Sequence, residues 1–181
     1  MPPARLRGPE IQASGAGDTE TEPLAKPAPN QDVKPAVKIR RASEADWPRI
    51  MEVLEGANFH HIGGPEMPSF PLSDCFVADL EGVVIGVGGY RILDEATAKT
   101  TLLAVDPAYR GRNVGAALQQ TRQDYLRDQG VKELYTNADD ERVVEWYLRF
   151  FGYQRTGKVI PKVASFGRDD KNEWINLVAK L

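Results

Sequence analysis

Apolar and charged side chains alternate over Val37-Lys38-Ile39-Arg40, the period-two pattern of a half-buried strand. Ser43, with Asp46 three positions on, predicts a helix start, and Ile50, Val53 and Leu54 supply an apolar face that stops at Gly56. Periodicity is lost from Asn58 to Ser73, an irregular stretch of the kind that compact domains use for functional loops. Two apolar runs, Cys75–Asp79 and Val83–Tyr90, flank Leu80-Glu81-Gly82 and predict a hairpin. The glycines inside the second run predict a bulge or a close backbone approach. That run continues through Arg91-Ile92-Leu93 to a turn at Asp94-Glu95, and Lys99–Val105 returns as the next strand.

A Pro-containing turn and a basic, glycine-bearing loop follow, then a helix with Val114, Ala117, Leu118, Thr121 and Tyr125 at helical spacing, ending near Gly130. Glu133–Thr136 reads as a short strand. Asp139 or Asp140 caps a last helix carrying Val143, Val144, Trp146, Tyr147 and Phe150, which closes at Gly152. Strands at about Arg155–Pro161 and Glu173–Ala179 complete the chain. Three antiparallel strands in succession, then strand–loop–helix, make a mixed α/β layout and not a run of βαβ units.

Composition narrows the function classes. The chain has 181 residues, enough for one domain with a real core and a tail. Residues 1–35 are rich in Pro, Gly, Ala, Ser and acidic side chains and nearly lack large apolar ones, so a disordered tail is expected there, with the folded domain at 36–181. A net charge of −3 argues against a general nucleic-acid binder. The single cysteine, Cys75, excludes an intramolecular disulfide framework and a cysteine-rich metal site, and fits a reducing compartment. No apolar run approaches the ~20 residues that span a bilayer, and the N-terminus lacks a signal-peptide core. The expected protein is cytoplasmic, a monomer or homodimer, without a metal site and without nucleic-acid or membrane partners.

Chemistry concentrates in the stretch from Thr101 to Leu118. Backbone N–H groups bared by a loop and the positive end of the following helix form a site for phosphate or pyrophosphate, and Arg110 and Arg112 add charge at the same place. Val105-Asp106-Pro107-Ala108-Tyr109 followed by Arg110-Gly111-Arg112-Asn113-Val114-Gly115 resembles the signature of the GNAT superfamily of acyl-CoA-dependent N-acyltransferases, a strand ending Val-x-Pro-x-Tyr and a loop Arg/Gln-x-x-Gly-x-Gly/Ala. Asn113 stands where glycine is usual. Asparagine is the non-glycine residue best suited to positive φ, so the loop is expected to keep its shape.

The element order also resembles that family over Val37 to Leu181. The resemblance implies an α/β (α+β) fold, a mixed and mostly antiparallel sheet of about seven strands flanked by about four helices. It further implies acetyl-CoA as cosubstrate. Leu103, Ala104 and Val105 would pair with the pantetheine arm, and N–H groups from Arg110, Gly111, Arg112, Asn113, Val114, Gly115 and Ala116 would hold the pyrophosphate. An extended, amide-bearing ligand adding to a strand edge, with its phosphates at a helix start, is the same arrangement in physical terms.

A second resemblance runs from Asp140 to Tyr147, which matches the spacing of the family's Asn-x-x-Ala-x-x-Phe-Tyr helix, with Gly152-Tyr153 one residue further on than usual. In the family this tyrosine often protonates the departing CoA thiolate, and a phenol is able to donate to that sulfur at neutral pH. The alternative for Tyr147 is a buried aromatic with a hydrogen-bonded hydroxyl. Lys99-Thr100-Thr101-Leu102-Leu103 carries no carboxylate, although relatives often keep a glutamate in that strand. The base would then come from elsewhere or be bulk water; the candidates are His60, His61 and Glu66 in the irregular stretch, which the resemblance implies borders the acceptor, and an imidazole titrates close to neutral pH. Cys75, before an apolar strand, reads as a structural thiol. The expected acceptor is an amine of a small molecule or peptide, acetylated by direct attack in a ternary complex. The alternative is a non-catalytic acyl-CoA-binding or regulatory module.

Overall fold

In the computed structural model of the chain, residues 36–57, 70–162 and 170–181 are described. The segments read as strands form β1 (Lys38–Arg41), β2 (Cys75–Leu80), β3 (Val83–Ile92), β4 (Thr97–Val105), β5 (Glu133–Ala138), β6 (Tyr153–Pro161) and β7 (Glu173–Lys180). The helically periodic segments form α1 (Trp47–Gly56), α2 (Val114–Asp128) and α3 (Glu141–Phe151). The seven strands make one sheet in the order β1-β2-β3-β4-β5-β7-β6, antiparallel throughout except for β4 against β5. Three α-helices and three short 3-10 turns stand among the described residues, against the four helices expected. The expected tail at 1–35 and most of the irregular stretch, residues 58–69, lie outside the described residues.

Apolar side chains cover both faces of the sheet. Ile50, Val53 and Leu54 of α1 pack with Val77, Val87, Leu102 and Ala104 on one face. Val114, Leu118 and Leu126 of α2 and Val144 and Tyr147 of α3 pack with Ile85, Ala98, Leu134 and Leu177 on the other. The loop between β2 and β3 turns on Glu81 and Gly82, at φ 53° and 87°. The bulge expected from the glycine-rich run is present: Ala78 pairs with Gly86 and Asp79 with Val84, which leaves Ile85 as the extra residue.

The start of α1 is held by charge. Arg40 on β1 donates from two guanidinium nitrogens to the Asp46 carboxylate at 2.7 Å, and its Nε donates to Asp79 on β2 at 2.9 Å. Asp46 also accepts from the Ser43 N–H and hydroxyl at 2.8 Å. The Arg40 hydrogen bonds, helped by those from Ser43, hold the Asp46 carboxyl well below the usual carboxylate range. A depressed folded pKa contributes stability that is complete above the unfolded value, about 4 for aspartate, and is lost as pH falls through the folded value. The thermal midpoint should therefore drop below about pH 4, and Asp46→Asn should lower it by the equivalent of about 2 kcal/mol at pH 7 while flattening its acid limb. Melting curves across pH for both proteins check this, and an equally steep acid limb in the variant would remove Asp46 from the account.

Candidate active site

Between β4 and β5 the sheet opens. The parallel pairs run Thr97↔Glu133, Ala98↔Leu134 and Lys99↔Tyr135, and then stop, while β5 continues to pair with β7 as far as Ala138↔Ile175. From Thr101 to Val105, β4 has β3 on one side and, among the described residues, no strand on the other. Its free edge is the kind of backbone ladder that an extended amide-bearing ligand completes.

A second irregularity sits in the same strand. Gly89 pairs with Leu102 and Tyr90 with Thr100, so Thr101 is an extra residue on β4. The bulge switches which face the side chains reach. Ala98 packs with the α2–α3 cluster, Leu102 and Ala104 pack with the α1 cluster, and Leu103 and Val105 lie against the α2–α3 side. Gly89 is required opposite the bulge, because a Cβ there would lie 2.5 Å from Thr101 Oγ1.

The strand leads into the loop before α2 through a clamped corner. The Asp106 N–H donates to the Ile85 carbonyl at 3.0 Å, and the Asp106 carboxylate accepts from the Ala108 N–H at 2.9 Å and from Arg49 of α1. The Ala108 N–H above all, with Arg49 in support, holds the Asp106 carboxyl below its ordinary pKa. Arg110 Nε donates to the Val105 carbonyl at 3.3 Å, and the Arg112 guanidinium lies over the Tyr109 ring at 5.4 Å. Both cations therefore stay beside the loop. Gly111 has φ 75° and Asn113 φ 61°, so the left-handed geometry expected of Asn113 is the one it adopts. The Asn113 side chain makes no capping hydrogen bond to α2. The first α2 bond runs from the Ala117 N–H to the Asn113 carbonyl, at 3.0 Å, leaving the N–H groups of Val114, Gly115 and Ala116 without intrahelical acceptors. Those groups, the helix dipole and two arginines fit a pyrophosphate.

Tyr147 lies one turn before the α3 C-cap, where Gly152 has φ 68°. It is 5 % exposed, and its ring stands edge-on to Trp146 and Tyr153 at 4.9 Å. Its hydroxyl makes no hydrogen bond to a described residue. The one-residue slip before Gly152-Tyr153 leaves Tyr147 on the buried face, in the same cluster as Val114 and Leu118 of α2. His60, His61 and Glu66 lie outside the described residues. Cys75 is fully buried, and that burial pushes its thiol up to about 12, which agrees with a structural thiol.

Two helix faces differ from expectation. In α2 the buried set is Val114, Leu118, Gln119, Arg122, Gln123 and Leu126, whereas Ala117 is exposed and Thr121 and Tyr125 are half-buried. In α3 only Val144 and Tyr147 are buried, while Val143 and Phe150 are 43 % and 64 % exposed. The α2 face turns toward polar residues because the fold supplies partners for them. Gln123 donates to the Phe151 carbonyl at 3.0 Å, Gln119 donates to the buried Tyr153 hydroxyl at 3.2 Å, and Arg122 reaches the β4 bulge. Polar side chains at three- and four-residue spacing beside Leu118 and Leu126 were the only trace of this in the sequence.

Residues 39–153, more than half the chain, match the acetyltransferase (GNAT) family. The chain belongs to that family. A mycothiol acetyltransferase from Beutenbergia cavernae is 27 % identical over 158 residues, covering 77 % of this chain and 51 % of the relative. The chain thus spans about half the length of the curated relative it matches. Among solved structures, Ard1 from Thermoplasma volcanium superposes with a TM-score of 0.64 at 19 % identity, over 81 % of this chain and 98 % of that one. N-acetylglutamate synthase from Neisseria gonorrhoeae, complexed with coenzyme A and N-acetyl-glutamate, superposes with a TM-score of 0.61 at 19 % identity, over 81 % of this chain and 35 % of that one. The GNAT fold is therefore shared across the described domain, and no helix among the described residues is long and apolar enough to cross a membrane.

Proposed function

We propose that this GNAT domain transfers the acetyl group of acetyl-CoA to an amine of a small molecule or peptide, by direct attack in a ternary complex. The observation that carries the reading is the open edge of β4 leading straight into the uncapped first turn of α2. Leu103–Val105 pair with the pantetheine amides, and the N–H groups from Arg110 to Ala116 take the pyrophosphate. A β4 backbone N–H, that of Leu103, donates to the thioester oxygen and stabilises the charge that grows there. The amine lone pair attacks the carbonyl carbon. The C–S bond then breaks with its electron pair on sulfur, and the Tyr147 hydroxyl protonates the thiolate. The amine proton leaves to His60, His61 or Glu66, directly or through water. A neighbouring fold solved with coenzyme A supports the cosubstrate, and the mycothiol acetyltransferase relative supports acetyl transfer.

Calorimetric titration of acetyl-CoA, followed by thiol release over a panel of amines, tests the reading. Saturable binding and acceptor-dependent release are expected. Binding without turnover for any amine would make the domain a non-catalytic acyl-CoA-binding module, and no binding would remove acyl-CoA altogether. Asn113 offers a finer check. Its left-handed backbone is already the one glycine would take, so Asn113→Gly should bind acetyl-CoA as tightly or up to about threefold more tightly, with a loss of under about 1 kcal/mol in stability. Clearly weaker binding by calorimetry would mean that the asparagine side chain contacts the ligand.

A further inference from the structure

Arg122, two turns into α2, has no accessible surface, and no carboxylate pairs with it among the described residues. Its Nη1 donates to the Gly89 carbonyl at 2.8 Å and to the Leu102 carbonyl at 2.6 Å, and its Nη2 donates to the Gln119 side-chain carbonyl. Among the described residues its Nε has no partner, and the Thr101 hydroxyl is buried without one as well. A buried cation compensated only by neutral dipoles is costly, and a neutral side chain of similar shape would fill the same space at less cost. The two main-chain acceptors are the residues paired across the β4 bulge, Gly89 and Leu102. The charge is therefore directed at the peptide that leads into the open edge of the strand.

We propose that Arg122 is a positioning residue for acetyl transfer: its buried guanidinium pins the β4 bulge and, through the Leu102 carbonyl, strengthens the Leu103 N–H as a donor to the thioester oxygen. The Leu102 carbonyl and the Leu103 N–H belong to one peptide group. A charged donor on the carbonyl draws electron density from the nitrogen and makes its proton a stronger donor, the cooperativity of linked hydrogen bonds at low dielectric. The same helix that offers its first turn to the pyrophosphate thus carries, about 12 Å along its axis, the group that sets the bulge. Gln119 joins the set by accepting from Arg122 and donating to Tyr153, whose ring stands against Tyr147. The proposal rests on the acetyl-CoA reading above.

Two measurements test it, and one needs no ligand. In the unsubstituted apo protein, the Leu103 amide proton should resonate downfield of that of Val105, whose N–H faces the same open edge, and Arg122→Lys should move it part of the way back. A Leu103 amide at an ordinary strand position overturns the proposal, whether or not the substituted proteins fold. In the second, acetyl-CoA carrying 13C at the acetyl carbonyl is followed by infrared difference spectroscopy. The parent should lower the carbonyl stretch relative to free acetyl-CoA. Folded Arg122→Met should bind within about threefold of the parent yet return the stretch toward the free value, with Arg122→Lys in between, because charge polarises the peptide and packing does not. A stretch in Arg122→Met equal to that of the parent overturns the proposal. Absence of acetyl-CoA binding by the parent instead overturns the cosubstrate reading, while the apo amide shift still decides the role of Arg122.

Discussion

Tyr147→Phe should lower kcat for acetyl transfer by about 100-fold, the low end of what a positioned general acid contributes, with the Kd for acetyl-CoA unchanged. The substitution removes one oxygen and keeps the ring, so the edge-on contacts with Trp146 and Tyr153 persist. The hydroxyl bonds to no described residue, so its loss strands no buried partner, and the melting temperature should move by no more than a few degrees. A structural role predicts a different result, with lowered stability and intact turnover. Thiol release measured beside a thermal melt separates the two, and unchanged kcat would take Tyr147 out of the mechanism. The fall should appear in kcat and kcat/KM together, because the donated proton matters only as the C–S bond breaks.

Gly115→Asp should do the reverse, weakening ligand binding by roughly 100-fold while leaving the apo protein intact or more stable. Gly115 is the second residue of α2, and a Cβ added there would lie 3.7 Å from Val105 Cγ2, an ordinary contact. An aspartate in the first helical turn interacts favourably with the helix dipole, and losing glycine from the helix adds to this, about 1 kcal/mol in all. The same carboxylate would face the pyrophosphate. Two unit charges about 4 Å apart near a protein surface repel by about 4 kcal/mol, and screening by salt and water leaves roughly a 100-fold loss in affinity. Calorimetry with acetyl-CoA and a denaturant melt of the apo protein check the two halves. Undiminished binding would place the phosphates elsewhere.

The charged corner beneath the loop explains why these substitutions should act locally. Arg49 ties α1 to Asp106 and, through its Nε at 3.0 Å, to the Val84 carbonyl. The turn after β4 is therefore held from below by α1 and from the side by β3. The Gly115 position carries no such restraint, since a Cβ there meets only an ordinary contact, whereas Gly111 and Asn113 keep the left-handed backbone that shapes the loop.

Much of this site was legible along the chain because it is made of consecutive residues. Strand, Pro turn, positive-φ positions at Gly111 and Asn113, and helix start are local backbone preferences, set by sterics and by hydrogen bonds between near neighbours. The apolar runs Cys75–Asp79 and Val83–Tyr90, with the turn between them, likewise placed β2 and β3 to within two residues. Tyr147 was legible as a position by its spacing from Asp140.

Tertiary structure alone decided the rest. Periodicity says which side chains share a helix face but not how much of that face a neighbour covers, so Phe150 and Val143 stay exposed although they lie near Tyr147 on the helix. The parting of β4 from β5 after Lys99 and Tyr135 comes from β5 following β7, a choice made between strands some forty residues apart. Arg122 shows the difference most clearly. In sequence it is one more cation on a polar helix, and it is buried only because two main-chain carbonyls from different strands, Gly89 and Leu102, converge on it at a bulge. The strand–loop–helix was thus set by the chain's local preferences, since local geometry fixes where N–H groups point. The open edge beside it and the buried charge beneath it depend on long-range pairing, where water is excluded and a hydrogen bond to a charge gains its strength from the low dielectric.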